Sequence, residues 1–198
     1  MQEYSDHFIC MRDPYPKGLR HFLCIPRPAA GRLLPGMRGG VRSLSRAHLP
    51  ELEELRAFAL QVSASVARVE GAAGSGGWRG RLLAGFHAVP SLEPLHLHLI
   101  SDEFAGVALK GLVHYQSFAS AFFITLDAAI AGVQESSAAL DVNSDAAALE
   151  ALKAASVRQC HLCGKGAREG VEVPRFKTGE DWSGFKKHLR ECDRQRLE

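Results

Sequence analysis

Gly85-Phe86-His87-Ala88-Val89-Pro90-Ser91-Leu92-Glu93-Pro94-Leu95-His96-Leu97-His98-Leu99-Ile100-Ser101 decides the reading of this chain. Its second half alternates histidine with leucine. Side chains of a strand point alternately to opposite faces. His96 and His98 therefore share one face, while Leu95, Leu97 and Leu99 share the other and enter the core. Two neighbouring imidazoles on a buried strand are costly to place unless something uses them. A third, His87, precedes them across a Pro-Ser turn. A lone histidine in a strand is more often an ordinary core or surface residue, but two at alternate positions with a third upstream reverse that balance. The arrangement predicts a site that handles protons, a metal or phosphate.

Outward from this stretch the sequence alternates strands and helices. His7–Met11 and His21–Ile25 read as two short strands joined by Asp13-Pro14-Tyr15-Pro16-Lys17-Gly18, which has turn chemistry. Residues 27–46 are rich in Gly, Pro, Arg and Ser and read as a loop. It carries Arg27, Arg32, Arg38, Arg42 and Arg46 without an acid. From Pro50 to Glu70, Leu52, Leu55, Phe58, Val62, Val66 and Val69 recur every three or four residues, the period of an amphipathic helix. Arg81–Val89 and Leu95–Ser101 follow as strands across a Gly-rich loop. A helix is expected over Ser117–Val133, with Phe118, Phe122, Ile124 and Leu126 turned to the core. Ser144-Asp145 reads as the cap of another helix ending near Ala155. The order predicts an α+β fold with a mainly antiparallel sheet and flanking helices. The expected division is residues 1–140 and, beyond them, a helical connection and small module over 141–198.

The 198 residues include 46% hydrophobic ones, enough for a core, and carry a formal charge of only +2. No global polybasic field is implied, so any nucleic-acid contact must come from local patches. No segment is long and apolar enough to cross a bilayer. The start, Met1-Gln2-Glu3-Tyr4-Ser5-Asp6, lacks the basic and apolar regions of a secretory signal. Cys10 and Cys24 sit in apolar, strand-like surroundings and read as free thiols of a reducing compartment.

The other three cysteines cluster late. Cys160-His161-Leu162-Cys163 is a C-x-x-C knuckle, and His188-Leu189-Arg190-Glu191-Cys192 is an H-x-x-x-C pair. With a helix from about Trp182 to Arg190, His188 and Cys192 fall on one helix face. Cys160, Cys163, His188 and Cys192 then match a tetrahedral structural zinc site, with His161 as a competing donor. Phe185 and Leu189 are placed to pack behind the metal. The metal would supply most of this module's folding energy. Lysines and arginines on the module read either as a solvated surface or as phosphate-backbone contacts.

At these residues the chain resembles the aprataxins, a family of the histidine-triad superfamily. The resemblance rests on Asp13-Pro14-Tyr15-Pro16-Lys17 with His21-Phe22-Leu23, on Gly85–Ser101, on Lys110 with His114 to Phe118, and on the four finger ligands. It implies a histidine-triad fold with a C-terminal zinc finger. It also implies removal of AMP from 5′-adenylated, nicked or broken DNA through an AMP–histidine intermediate, in the nucleus. By motif, His96 would be the nucleophile and His98 the last triad histidine. His87 and Ser91 would serve around the phosphates, with His87 as general acid. Lys17 would contact phosphate, Asp13 the ribose hydroxyls, and Lys110 and His114 the DNA end. Zinc is the implied cofactor, in a structural role, and no catalytic metal is expected. AMP is the implied product, with RNA–DNA junctions as a second partner class, and no membrane partner. One departure stands out. Pro94 occupies the place of the first triad histidine, which removes an imidazole that usually supports the nucleophile and bears on the orientation and basicity of His96.

Two other readings are separable. A small-molecule phosphoramidate or dinucleotide hydrolase would have no need of the finger. A catalytically weak binder of adenylated or nicked ends would have no need of His96.

Overall fold

The computed structural model describes residues 2–27, 40–72, 81–90, 93–135, 147, 151, 160–163 and 180–197. Its centre is a six-stranded sheet formed by β1 (Gln2–Tyr4), β2 (Phe8–Arg12), β3 (His21–Pro26), β4 (Leu82–His87), β5 (Leu97–Ser101) and β6 (Phe123–Thr125). The strands lie in the order β1-β2-β3-β5-β4-β6, and each described pairing is antiparallel. The helices are α1 (Leu49–Ala72), α2 (Leu112–Ala119), α3 (Leu126–Glu135) and α4 (Glu180–Leu197). The mainly antiparallel α+β layout expected from the sequence is thus present.

Three details differ from that expectation. The sheet gains β1 and β6. The helix expected over Ser117–Val133 is instead two helices with a strand between them. Phe123, Ile124 and Thr125 are aromatic or β-branched and suit a pleated surface. They cover the otherwise open edge of β4, with Phe86 opposite Ile124. The break at Ser120 is held locally, its hydroxyl accepting the Phe122 N–H and its carbonyl the Phe123 N–H. Within the expected Arg-rich loop, Val41–Ser43 and Arg46–His48 form short 3-10 turns. The helix expected near 144–155 lies largely outside the described residues.

Period-2 alternation assigns the two faces of the sheet. Phe22 and Cys24 of β3, Phe86 of β4, and Leu97 and Leu99 of β5 pack with Leu52, Leu55, Phe58, Val62 and Val66 of α1 and with Ile130 of α3. All are nearly solvent-free. Each fully buried aliphatic or aromatic side chain of this layer contributes about 1.5–3 kcal/mol. The opposite parity, odd numbers in β3 and β4 and even numbers in β5, faces the other way. It carries Leu83, Ile100 and four histidines, and it is partly covered by Phe104 and Leu109 of the segment after β5, by Tyr115 and Phe118 of α2, and by the knuckle with Phe185 and Leu189 of α4.

Candidate functional site

His21 opens β3, His87 closes β4, His96 immediately precedes β5 and His98 is the second residue of β5. All four meet on the same face of the sheet. The His98 ring lies with its centroid 4.9 Å from that of His96, 4.4 Å from His87 and 5.2 Å from His21. Phe118 of α2 closes over the group, 5.3 Å from His98 and 4.8 Å from His87. Gly85, directly across from His98, admits the close approach of β6 beside the group. A Cβ there would meet the Ile124 carbonyl and the Phe123 ring at 2.6 Å.

The hydrogen bonds fix which ring nitrogens carry protons. Nδ1 of His96 lies 3.0 Å from the carbonyl oxygen of Pro94. A carbonyl only accepts, so Nδ1 carries a proton, and in the neutral tautomer the lone pair is on Nε2. Proline lacks an N–H but retains its carbonyl. The ring is therefore oriented by the backbone of residue 94, although that residue supplies no imidazole.

A second chain of bonds runs through His21. Its Nδ1 accepts the backbone N–H of Lys17 at 3.2 Å. Its Nε2 therefore carries the proton, and it lies 3.0 Å from Nδ1 of His98. His98 in turn must present Nε2–H, a buried donor with no acceptor among the described residues. That leaves a hydrogen-bond donor at the centre of the histidine group, beside a ring nitrogen with a free lone pair.

Electrostatics match these assignments. Burial lowers the His21 pKa to about 3, helped by the Lys17 charge and by His87 and His96. Burial likewise holds His98 well below the ordinary imidazole value, with His87 and His21 adding to it. Both are neutral near pH 7. The Lys17 amine is lowered, first by burial; Asp13 opposes the shift and Lys110 adds to it.

The remaining candidates divide. Asp13 sits beside the cluster, with one oxygen 3.4 Å from His21 Nδ1 and the other accepting the Tyr15 N–H at 2.6 Å. Lys17 donates from Nζ to the Tyr15 carbonyl at 2.6 Å, within the same turn. Lys110 and His114 are exposed, outside the histidine group, and joined by the Lys110 N–H to His114 Nδ1 bond at 3.3 Å. Ser91 lies outside the described residues. The sequence reading missed His21 as a member of the group. The available signal was parity: His21 is two residues before Leu23, which pairs across from His98.

At the other end of the chain, ligand atoms of Cys160, Cys163, His188 and Cys192 all lie within 4.8 Å of one another. Cys163 Sγ and His188 Nε2 are 3.5 Å apart. A tetrahedron with zinc–sulfur bonds of about 2.3 Å and zinc–nitrogen of about 2.0 Å has an edge of about 3.5 Å. Burial and the neighbouring thiols push the Cys192 thiol up to about 12; a dication reverses that tendency by holding thiolates. The donor set fits a structural zinc ion. Phe185 and Leu189 are buried behind it, and Trp182 packs on Phe185 while its indole N–H donates to the Leu109 carbonyl at 3.1 Å. Asp13, His21 and His98 also lie within metal-binding spacing, but their imidazole nitrogens are engaged in the hydrogen-bond chain described above, save His98 Nε2.

Comparison with known proteins gives a consistent result. Residues 2–114 match the family model described as "Scavenger mRNA decapping enzyme C-term binding". Aprataxin of Gallus gallus is 31% identical over 164 residues, which is 82% of this chain and 45% of that protein. Aprataxin of Danio rerio is 29% identical over 178 residues, 89% of this chain and 48% of that one. The chain thus spans about half the length of these relatives. Among solved structures, the aprataxin ortholog Hnt3 in complex with DNA superposes with a TM-score of 0.69 at 21% identity, covering 98% of this chain and 87% of that one. Hnt3 in complex with DNA and guanosine gives 0.55 at 21% identity, covering 98% of this chain and 88% of that one. At this identity the structural likeness speaks for the fold.

Proposed function

Because the chain belongs to the family described as scavenger mRNA decapping enzyme C-term binding and is a relative of the aprataxins, we propose that it is a histidine-triad hydrolase that removes AMP from 5′-adenylated DNA ends. The observation that carries this reading is the His96–Pro94 bond. It orients the ring so that, in its neutral form, Nε2 is the unprotonated nitrogen, the atom a histidine nucleophile uses.

In this reading Nε2 of His96 attacks the adenylate phosphorus in line. The N–P bond forms as the P–O bond to the DNA 5′-phosphate breaks. That phosphate leaves with the electron pair, and His87, on the same sheet face, supplies its proton. Water then returns a proton to His87 as its oxygen attacks the phosphorus of the AMP–histidine; the N–P bond breaks, AMP leaves and the His96 imidazole is regenerated. Charge on the phosphoryl oxygens is met by His98 Nε2–H and by Lys17, in a site where burial strengthens such contacts. Asp13 has the chemistry to hold ribose hydroxyls, and Ser91 a phosphate oxygen. Lys110 and His114 are exposed beside this turn and face the DNA end. The zinc ion, held by Cys160, Cys163, His188 and Cys192, supplies structure only. A nuclear site of action belongs to the same proposal, as do RNA–DNA junctions as substrates.

The test is AMP release from a 5′-adenylated nicked duplex, with AMP-lysine as a small-molecule comparison. Wild type should release AMP from the duplex and form a nucleotidylated protein visible by mass spectrometry. His96→Ala should lower release at least about a thousandfold, as loss of a covalent nucleophile does. Release from AMP-lysine alone would move the assignment to small-molecule substrates. Tight duplex binding without release would make the protein a reader of adenylated ends.

A further inference from the structure

His161 lies inside the C-x-x-C knuckle but outside the ligand set, and its contacts point away from the metal. Its backbone N–H donates to the Tyr115 hydroxyl at 2.9 Å, and that hydroxyl lies 2.9 Å from its Nδ1. Nε2 faces the backbone carbonyl of Asp102. A carbonyl accepts only, so Nε2 carries the proton, Nδ1 accepts from Tyr115, and every polar atom of the ring is satisfied. The ring also stacks on Phe104, centroid to centroid 4.5 Å.

Asp102 and Phe104 belong to the segment that leaves the end of β5, the strand that carries His98. Residues 102–106 are all buried, and the metal module holds this segment by its carbonyls. Besides His161 on Asp102, Arg190 donates to Ala105 at 3.3 Å, and Trp182 and Lys186 both donate to Leu109. The same segment uses its N–H groups in the opposite direction. Gly106 N–H donates to the Lys17 carbonyl at 2.8 Å and Ala108 N–H to the Pro16 carbonyl at 3.0 Å. The approach is so close that a Cβ on Gly106 would lie 2.3 Å from the Pro16 oxygen. Residues 102–109 are therefore a bridge. One side is gripped by the metal module, and the other grips the Tyr-Pro-Lys turn that carries Lys17.

We propose that His161 is a positioning residue for Lys17: through Tyr115, Asp102 and the 102–109 bridge, it makes the occupied knuckle set where the phosphate-binding lysine stands. The proposal rests on the hydrolase reading for what Lys17 does, but not for the existence of the bridge. The knuckle histidine is a structural coupler rather than a spare ligand. Metal occupancy then acts on substrate binding at a distance from any metal–substrate contact.

The test uses the full zinc-loaded chain with His161→Phe, which keeps a ring against Phe104 but loses its polar contacts. Tyr115→Phe serves as a second variant that preserves the buried volume. Both should retain bound zinc. Amide hydrogen exchange at Gly106 and Ala108 should speed at least about tenfold in each. Zinc removal from the wild type should do the same. KM for the adenylated duplex should rise at least about fivefold with kcat within about twofold, because the loss is in binding. Lys17→Ala combined with His161→Phe should be no worse in KM than Lys17→Ala alone, the non-additivity of residues acting through one another. Unchanged exchange in both variants overturns the proposal. So does loss of zinc from either variant, or full additivity with Lys17→Ala. If the wild type releases no AMP, the functional reading fails, while the exchange measurements still decide whether His161 holds the bridge.

Discussion

Nε2 of His21 donates to Nδ1 of His98 across 3.0 Å, with both rings buried. The direction of this bond follows from the Lys17 N–H on the far side of the His21 ring. It leaves His98 one proton, on the nitrogen at the centre of the site. The first strand of the pair thus fixes the tautomer of a residue on another strand, 77 positions later.

His21→Leu should therefore injure both stability and catalysis. It strands the Lys17 N–H and His98 Nδ1 without partners, at about 1–3 kcal/mol for each buried polar group left unpaired. His21→Gln offers an amide that can accept on one side and donate on the other, and should recover part of both losses. Urea unfolding and AMP release on the three proteins check this. Equal behaviour of the Leu and Gln variants would remove the tautomer argument.

Acid should destabilise the fold through the same pair. His21 has its pKa lowered from 6.5 to about 3, and His98 is also shifted downward. Between those values the unfolded chain binds protons that the native chain does not. Stability therefore rises with pH in that window and is lost as pH falls from about 6.5 towards 3. Each histidine contributes a slope of up to about 1.4 kcal/mol per pH unit. Urea midpoints between pH 7 and 4 should fall less steeply for His21→Gln than for wild type. Parallel curves would show that His21 is not held neutral.

What could be read from the sequence follows from the range of each interaction. The His-Leu alternation revealed the site face, because a period of 2 is a local property. The ligand spacing of the knuckle and of the His188–Cys192 turn was local in the same sense, and Leu52 to Val66 declared α1 by its period. His21 enters the sequence reading as part of a strand and of the family resemblance but not as a site residue, because its role depends on the register between β3 and β5. The Pro94 carbonyl was overlooked for another reason: motif reading compares side chains, and the orienting atom is backbone. The strand Phe123–Thr125 was absorbed into a helix because an apolar run carries no sign of the open β4 edge that recruits it. His161 looked like a rival ligand, since its partners Asp102 and Tyr115 are 59 and 46 residues away.

Glycines near the site separate close approach from open space. At Gly106 a Cβ would meet backbone atoms of Pro16, Lys17 and Gly18 at 2.3–2.5 Å, whereas at Gly111 nothing lies within 4 Å. Gly106→Ala should cost about 1–3 kcal/mol, the range for overpacking a filled interior, and raise KM by displacing the Lys17 turn. Gly111→Ala should leave the urea midpoint and KM near wild type. Equal effects of the two would mean that contact between the 102–109 segment and the Tyr-Pro-Lys turn is loose.

Zinc removal should unfold more than the knuckle. Cys160, Phe185, Leu189 and Cys192 are buried together with Phe104, Leu109 and Tyr115, so losing the ion leaves clustered thiols and a helix whose apolar stripe has lost its anchor. Chelation should lower Tm by at least about 6 °C, equivalent to about 3 kcal/mol at this chain length, with loss of helical signal from α4. Cys163→Ala should weaken zinc binding and reproduce that fall. Lys187→Ala, which removes only an exposed pair with Glu191 at 3.7 Å, should change stability by no more than about 0.5 kcal/mol. If the chelated wild type keeps its Tm and helical signal, the four donors do not form a structural metal site, and the packing of Phe185 and Leu189 on the sheet face is sufficient without it.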